Sequence, residues 1–356
     1  MTAFPHGRDG RPTVVVSAAA LASEATALLE RAGYAVVTTT AYPSEAELLD
    51  AVREFRPVAL LHRQGHINGA VLDAAAPGLR VVARHGAGID GIDIAAAKAR
   101  GVTVVRAAGA NSRAVAEHAW ALLLSLLKDL PSIGAGMAGG KWEKTSRFTR
   151  DAEGRTIGIV GYGAIGSKVA GYAEAFGMPV LAYDPHLPGD GLLEGGLPGP
   201  GERVGSLADL LARADVLSLH CPLSAETRNM IGAAELALLP QGALLVNAAR
   251  GGIVNEAALV EALDSGHLAG AGVDVFETEP LPQDSRLRNH PKVIATPHIA
   301  ANTPRGAVGM ATGAADGIIQ VLAGRLPALK GAIVTLGEKT PLAAGHAADH
   351  AATHAA

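Results

Sequence analysis

The feature that most restricts this chain is the alternation of short, continuously apolar runs, rich in β-branched residues, with stretches of helical periodicity. The runs that read as strands are Thr13–Val16, Ala35–Thr38, Val58–Leu61, Val81–Arg84 and Thr103–Val105. A second series follows: Thr156–Val160, Val180–Tyr183, Val216–Leu219, Ala243–Asn247, Gly270–Asp274 and Val293–Ala295. Strands that lack an alternating polar face are buried on both sides, as in parallel sheets covered by crossover helices. The expected class is therefore α/β, with two doubly wound parallel-sheet domains. A helical segment separates the series. It starts near Ser112, where Asn111 or Ser112 can cap it, and stops ahead of Pro131. A loop rich in Gly, Lys and Arg is expected from Gly134 to Gly154, and Pro304–Gly324 is again helical and able to pack back on the first domain. This predicts a discontinuous domain, 1–110 with 299–336, a second domain inserted as 111–298, and a disordered tail over 337–356.

Composition removes several classes of function. A length of 356 residues suits two domains of ordinary size, and 49% apolar with 18% charged residues is a globular balance. A formal charge of −4 gives no basic footprint for nucleic acid and no pull toward anionic lipid. The single cysteine, Cys221, excludes an intramolecular disulfide framework and a cysteine-based zinc site, so a cytoplasmic, reducing setting is expected. Arg8 and Arg11 followed by the apolar stretch Val14–Ala22 imitate a secretory leader. Pro12 spoils that pattern, and a strand followed by a helix from Ser23 to Ala32, stopped at Gly33, reads better. The apolar run Ala119–Leu127 is too short to span a bilayer. His346, His350 and His354 share a helical spacing, but only Asp349 accompanies them, and no metal is expected.

The most local chemical signal is Gly161-Tyr162-Gly163-Ala164-Ile165-Gly166, which follows the strand Thr156–Val160 and opens a helix from Ser167. A GxGxxG sequence alone is weak, but here it lies between a strand and a helix, where a dinucleotide site requires it. Gly161 makes the tight turn, Gly163 lets the backbone approach a pyrophosphate, and Gly166 lets helix and strand pack closely. The N–H groups of Ala164 and Ile165 then face the phosphates at the positive end of the helix. The next strand ends at Asp184, about twenty residues on, the position of a ribose-binding acid. A carboxylate there repels a 2′-phosphate, which predicts NAD in a Rossmann domain; His186 beside it is the one hint of a looser preference.

Three polar residues stand at strand ends in the second series: Arg250, Glu279 and His298. Oxidising a 2-hydroxy acid needs a base for the hydroxyl proton, which histidine supplies near neutral pH. A carboxylate fixes the imidazole and favours its charged form. An arginine grips the substrate carboxylate and polarises the C2 oxygen. Taken singly, each has a plainer reading: a turn-covering arginine before Gly251-Gly252, a solvated charge in the acidic loop Glu277–Pro280, a satisfied histidine in a Thr-Pro-His turn.

Together these stretches, over roughly Val58 to Pro327, resemble the D-isomer-specific 2-hydroxyacid dehydrogenase family, including its phosphoglycerate dehydrogenase and hydroxypyruvate reductase members. The matching blocks begin with Arg84-His85-Gly86-Ala87-Gly88-Ile89-Asp90-Gly91-Ile92-Asp93 and Asn111-Ser112-Arg113-Ala114-Val115-Ala116-Glu117-His118. After the glycine turn come His220-Cys221-Pro222-Leu223-Ser224-Ala225-Glu226-Thr227, Asn247–Gly252, Gly272–Pro280 and Thr296-Pro297-His298-Ile299. The resemblance implies a flavodoxin-like substrate domain carrying an inserted NAD domain. It also implies His298 as acid/base paired with Glu279, and Arg250 on the substrate. It further implies the backbone N–H groups of Ala87 and Gly88 on the carboxylate, and Arg63 near the substrate. His220, Cys221, Pro222 and Thr227 would line the cofactor groove, with Asp274 on the nicotinamide carboxamide and the backbone of Ala248 and Ala249 nearby. The helix from Asn111 would support a homodimer. His85 replaces a commoner small residue, and Gly91 a frequent asparagine. Within the same fold, formate dehydrogenases pair their histidine with an amide, which Glu279 does not fit, and the triad alone does not separate a phosphite-oxidising relative. The C-terminal-binding corepressors form the alternative class, an NAD-sensing interaction module, but no basic partner-binding segment is evident here.

Overall fold

The structure, a computed structural model, describes residues 10–187, 201–328 and 331–338. Arg8 and the tail residues His346, Asp349, His350 and His354 lie outside them. The chain divides into two compact units, Met1–Asn111 with Thr303–Ala356 and Ser112–Asn302.

The first unit runs β1 (Thr13–Val16), α1 (Ser23–Arg31), β2 (Ala35–Thr38), α2 (Glu45–Phe55), β3 (Ala59–His62), α3 (Gly69–Ala74), β4 (Val81–Arg84), α4 (Ile94–Ala99) and β5 (Thr103–Arg106). The second holds α5 (Ser112–Leu127), α6 (Leu130–Ala138), β6 (Ile157–Val160), α7 (Gly166–Ala175), β7 (Val180–Tyr183), β8 (Glu202–Arg203), α8 (Leu207–Arg213) and β9 (Val216–Leu219). It continues through α9 (Ala233–Leu238), β10 (Ala243–Asn247), α10 (Glu256–Asp264), β11 (Leu268–Val273) and β12 (Val293–Ala295). The chain then returns to the first unit as α11 (Pro304–Leu322) and β13 (Ile333–Thr335).

The first sheet has the order β13-β5-β4-β3-β1-β2, parallel except for β13, which pairs antiparallel with β5. Its parallel part is the flavodoxin-like order. Why these residues form such a sheet is visible in β1. Val14 and Val16 join the core beneath α1 and α11, while Val15 joins the opposite core with Leu48 and Val52 of α2. A strand that alternates between two apolar layers has no polar face to show. Side chains cap the helices that cover it: Ser44, Asn68, Asp93 and Thr303 each accept a backbone N–H of the first turn. Gly91 is explained here. A Cβ at this position would stand 2.6 Å from Cε1 of the buried His62, so the imidazole fills the room a side chain would need.

The second sheet has the order β12-β11-β10-β9-β6-β7-β8 and is parallel throughout. That is the doubly wound nucleotide-binding order with one further strand, and the order reverses between β6 and β9. Ile157 and Ile159 pack toward α5 and α7, and Leu217 and Leu219 toward α8, α9 and α10. Small residues in β11 bring α5 close. A Cβ on Gly272 would lie 2.9 Å from Cβ of Leu122, and one on Gly270 would lie 3.1 Å from Cδ2 of Leu126.

Two expectations are corrected. Pro131 does not simply follow a helix end, and the loop does not begin at Gly134. Asp129 takes a left-handed conformation (φ 49°) that breaks α5, and Pro131 then sits in the first turn of α6, where its missing N–H costs nothing. Among the described residues no single helix is long and apolar enough to cross a membrane.

Candidate active site

Chemistry-bearing residues gather at the carboxyl edge of the second sheet, where a parallel sheet presents its crevice. At the reversal of strand order, Gly161 leaves β6 at φ 88° with its N–H donated to the Tyr183 carbonyl at 2.9 Å. A Cβ there would meet Cys221 N at 2.6 Å, and one on Gly166 would meet the Gly161 carbonyl at 2.1 Å. These two positions need glycine for the protein's own packing. Gly163 differs: a Cβ there meets nothing within 4 Å, so its bareness leaves space outside the protein. The α7 N-cap, Ile165, supplies no side-chain cap, and the N–H groups of Ala164, Ile165 and Gly166 have no partner among the described residues. Asp184 is oriented by accepting from Tyr162 N and His186 N, both at 2.9 Å. An open cradle, orphan donors at a helix start and a fixed acid fit a dinucleotide pyrophosphate and ribose.

Across the turn, His220 accepts or donates at Nε2 with Ser218 Oγ at 2.8 Å, and burial pushes its imidazole down to about 4. Burial also pushes the Cys221 thiol up to about 11, which removes it as a nucleophile near neutral pH. Thr227 Oγ1 donates to the Pro222 carbonyl at 2.7 Å and accepts from Ser224 N at 2.7 Å, closing the loop from Pro222 to Thr227.

The triad is built by register. Asn247 of β10 pairs with Val273 of β11, and Val273 with Ala295 of β12. Arg250, Glu279 and His298 therefore follow the ends of three adjacent strands. Asn247 ties the first turn: its Nδ2 donates to the Arg250 carbonyl at 3.0 Å and its Oδ1 accepts from Ala249 N at 3.1 Å. Arg250 Nη1 donates to the Ala249 carbonyl at 2.6 Å. Both main-chain groups of Ala249 are thus engaged, whereas those of Ala248 have no partner among the described residues. Gly251 abuts the next loop, since a Cβ there would overlap the Phe276 carbonyl at 1.8 Å.

His298 Nδ1 lies 2.7 Å from Glu279 Oε2, and Glu279 Oε1 accepts Phe276 N at 3.0 Å. Burial pushes the Glu279 carboxyl up, but the hydrogen bond and charge of His298 and the Phe276 N–H outweigh it, and the group stays below the usual range. With Nδ1–H given to Glu279, Nε2 of His298 is the nitrogen left for chemistry. Its side chain is 48% exposed.

Asp274 holds this arrangement. It is fully buried; Oδ1 accepts Thr296 Oγ1 at 2.6 Å and Ile299 N at 3.0 Å, and Oδ2 accepts Ala300 N at 2.9 Å. His298 N donates to the Asp274 carbonyl at 2.8 Å. His298 has φ 52°, a left-handed conformation costing on the order of 1 kcal/mol, and these bonds on either side fix it. His118 of α5 completes the network. Its Nε2 is 3.0 Å from Thr296 Oγ1 and 3.5 Å from Asp274 Oδ1, and since that hydroxyl donates to Asp274, His118 is the donor. Burial pushes the Asp274 carboxyl up, yet its hydrogen bonds more than offset this and hold it below the usual range. A bond from a nicotinamide carboxamide would be shared with these donors. Sequence reasoning missed the anchoring role of Asp274, His118 and Asn247, because the partners come from three separate stretches of chain.

In the first unit, Arg63 follows β3. Its N–H donates to Ser17 Oγ at 2.9 Å, and its guanidinium makes no hydrogen bond among the described residues. His85 is buried; burial first, then the charges of Arg63 and Arg84, push it down to about 4, so it stands as a neutral ring. Ala87 and Gly88 lie in the part-exposed loop after β4.

Residues 120–300 match the family model of the D-isomer specific 2-hydroxyacid dehydrogenase NAD binding domain. The chain is 42% identical over 282 residues to a D-3-phosphoglycerate dehydrogenase of Mycobacterium tuberculosis (strain ATCC 25618 / H37Rv), covering 79% of this chain and 52% of that one. The chain thus spans about half the length of the curated relatives it matches. The solved TT0316 protein from Thermus thermophilus superimposes with a TM-score of 0.81 at 35% identity, covering 91% of this chain and 100% of that one. An NAD-dependent formate dehydrogenase from Staphylococcus aureus, solved with NAD, gives 0.77 at 27% identity over 92% and 99%.

Asp274→Asn should replace the acceptor facing Ala300 N with a donor and cost about 2–3 kcal/mol, a fall in Tm of roughly 5–10 °C. The sign follows from the depressed carboxyl: its contribution is present above the unfolded-state pKa and lost as pH falls through the folded one. Melting curves of both proteins should therefore converge in acid; a gap that stays constant with pH would remove the assigned role.

Proposed function

The chain belongs to the D-isomer specific 2-hydroxyacid dehydrogenase family, and we propose that it transfers a hydride between NAD(H) and C2 of a small D-2-hydroxy or 2-oxo acid, of the glyoxylate, hydroxypyruvate or 3-phosphoglycerate type. The observation that carries this reading is the 2.7 Å contact of His298 Nδ1 with Glu279, at the same sheet edge as the glycine turn. In oxidation, Nε2 of His298 takes the hydroxyl proton while Glu279 stabilises the imidazolium; in reduction the proton returns. Nicotinamide, when bound, supplies or accepts the hydride. Arg250 binds the substrate carboxylate and the C2 oxygen. Gly161, Gly163, Ala164, Ile165 and Gly166 receive the pyrophosphate, and Asp184 the ribose hydroxyls. His220, Cys221, Pro222, Thr227, Ala248 and Ala249 form the surrounding groove, and the buried Asp274 takes the nicotinamide carboxamide by sharing its oxygens with the donors already on them. Arg63 and the main chain of Ala87 and Gly88 serve the substrate.

The carboxylate at position 279 argues against formate as substrate, since oxidising formate to carbon dioxide moves a hydride with no hydroxyl proton to remove and needs no acid/base pair. The mycobacterial relative is named for 3-phosphoglycerate, which puts 3-phosphohydroxypyruvate first among compounds to try. We further propose a cytoplasmic homodimer. α6 buries none of its residues, and Leu130, Met137, Trp142 and Phe148 on α6 and the loop after it are exposed, a run of apolar surface that a second copy would cover.

NADH oxidation should proceed with at least one of glyoxylate, hydroxypyruvate, pyruvate and 3-phosphohydroxypyruvate. Glu279→Gln should lower kcat/KM on the order of 10²-fold with NADH binding retained. NADH binding without turnover on any of the four would favour the interaction-module reading. Light scattering on the intact chain should give twice the 36.0 kDa chain mass, and Trp142→Glu with Phe148→Glu should return it to one; an unaltered mass would remove this face from the interface.

A further inference from the structure

The two loops that carry Arg250 and Glu279 are joined by a pair of crossed bonds between acidic residues. Glu277 N donates to Glu256 Oε1 at 2.6 Å, and Glu256 N donates to Glu277 Oε1 at 3.2 Å. Glu256 is the first residue of α10, where the Arg250 loop ends, and Glu277 lies two residues before Glu279. An acid in the first turn of a helix has an ordinary use, since the N-terminus favours negative charge. Asn255 already caps α10 by accepting Ala258 N, however, and the Glu256 carboxylate reaches a backbone N–H 21 residues further along the chain. The placement is costly. Burial first, and then the charges of Glu277 and Glu279, push the Glu256 carboxyl up against the pull of the Glu277 N–H.

What this bond controls is one peptide. The Phe276–Glu277 peptide is trans, so its N–H and its carbonyl point in opposite directions. The N–H goes to Glu256. The carbonyl lies against Gly251, the residue after Arg250, where a Cβ would overlap it. Phe276 N, one peptide earlier, donates to Glu279 Oε1 at 3.0 Å. One end of this short segment therefore sets Glu279, and the other supports the main chain beside Arg250. The Arg250 loop is held at its start by Asn247, and at its end by Asn255 N on the Ile231 carbonyl at 3.0 Å. Between those two ties, Gly251 rests on a peptide whose direction Glu256 fixes.

We infer that Glu256 is a positioning residue for the hydride-transfer site: by holding the Phe276–Glu277 peptide, it sets Arg250 against the pair formed by His298 and Glu279. This rests on the reaction proposed above, and Glu256 acts in it only through the two loops. What it supplies is reach and an acceptor oxygen, not charge. Aspartate keeps the charge at the helix start but is one methylene short of Glu277 N. Glutamine keeps the oxygen at full length without the charge.

The test compares Glu256→Asp, Glu256→Gln and Glu256→Ala in the intact protein, well below the melting point of each, with the 2-oxo acid that the wild type reduces best. kcat/KM for that acid should fall about tenfold in Glu256→Asp and Glu256→Ala, the loss of a hydrogen bond to a charged group. Glu256→Gln should recover it to within about threefold of wild type. KM for NADH should stay within about twofold in all three, because the glycine turn has no part in these bonds. Should Glu256→Ala not fold, the aspartate and glutamine variants carry the comparison. A glutamine variant impaired as much as the aspartate one, or more, assigns the effect to charge and overturns the inference. An unchanged kcat/KM in Glu256→Asp also overturns it, whatever happens to Tm, since that is a role in stability alone. Both results leave the reaction standing. A wild type that binds NADH and reduces no 2-oxo acid overturns the reaction, and the inference with it.

Discussion

A buried carboxylate is costly unless its oxygens are satisfied, and that cost is what makes Asp274 an anchor. Its two oxygens collect Thr296, Ile299 and Ala300, and its carbonyl collects His298. Those residues enclose the histidine that pairs with Glu279. The anchor offsets the cost of holding a non-glycine residue in a left-handed conformation with its ring directed at Glu279. The anchor depends in turn on packing. Gly270 and Gly272 admit α5 against β11, Leu122 fills that contact, and His118, one turn earlier on the same helix face, reaches Thr296.

The same logic runs through the triad. Arg250, Glu279 and His298 come from loops of unequal length, yet register puts all three loops at the ends of neighbouring strands. Each loop is pinned by a polar side chain bonded to its backbone: Asn247 at the end of β10 for the first, Glu279 itself through Phe276 N for the second, and Asp274, just past the neighbouring β11, for the third. Sheet order supplies proximity, and short side-chain bonds to backbone supply direction.

What was legible in the sequence was what is local. β1, β2, β4, β7, β9, β10 and β12 occupy the residues read as strands, because a continuous apolar run has one stable use in such a chain. The glycine turn was legible because strand, turn and helix are contiguous. β8 and β13 escaped notice. One is two residues long, and the other is a short antiparallel strand whose partner, β5, lies far earlier in the chain. The part of α6 from Gly134 onward reads as loop because Pro131 and three glycines within or next to the helix mimic a breaker, and Asp129's left-handed turn is not written in residue type. The bond of His118 to Thr296, and the bonds between Glu256 and Glu277, depend on packing between distant segments. No single stretch of sequence contains them.

In the proposed reaction a hydride passes between NADH and C2 while His298 handles the proton. Following deuterium from NADH labelled at C4 into product tests it most directly. With a 2-oxo acid that supports turnover, the label should appear at C2 of the hydroxy acid in the wild type. In His298→Ala, with NADH still bound, transfer should slow by 10²–10⁴-fold, an order-of-magnitude expectation for a lost acid/base. Label that ends in solvent, or transfer at an unchanged rate in His298→Ala, would contradict the account.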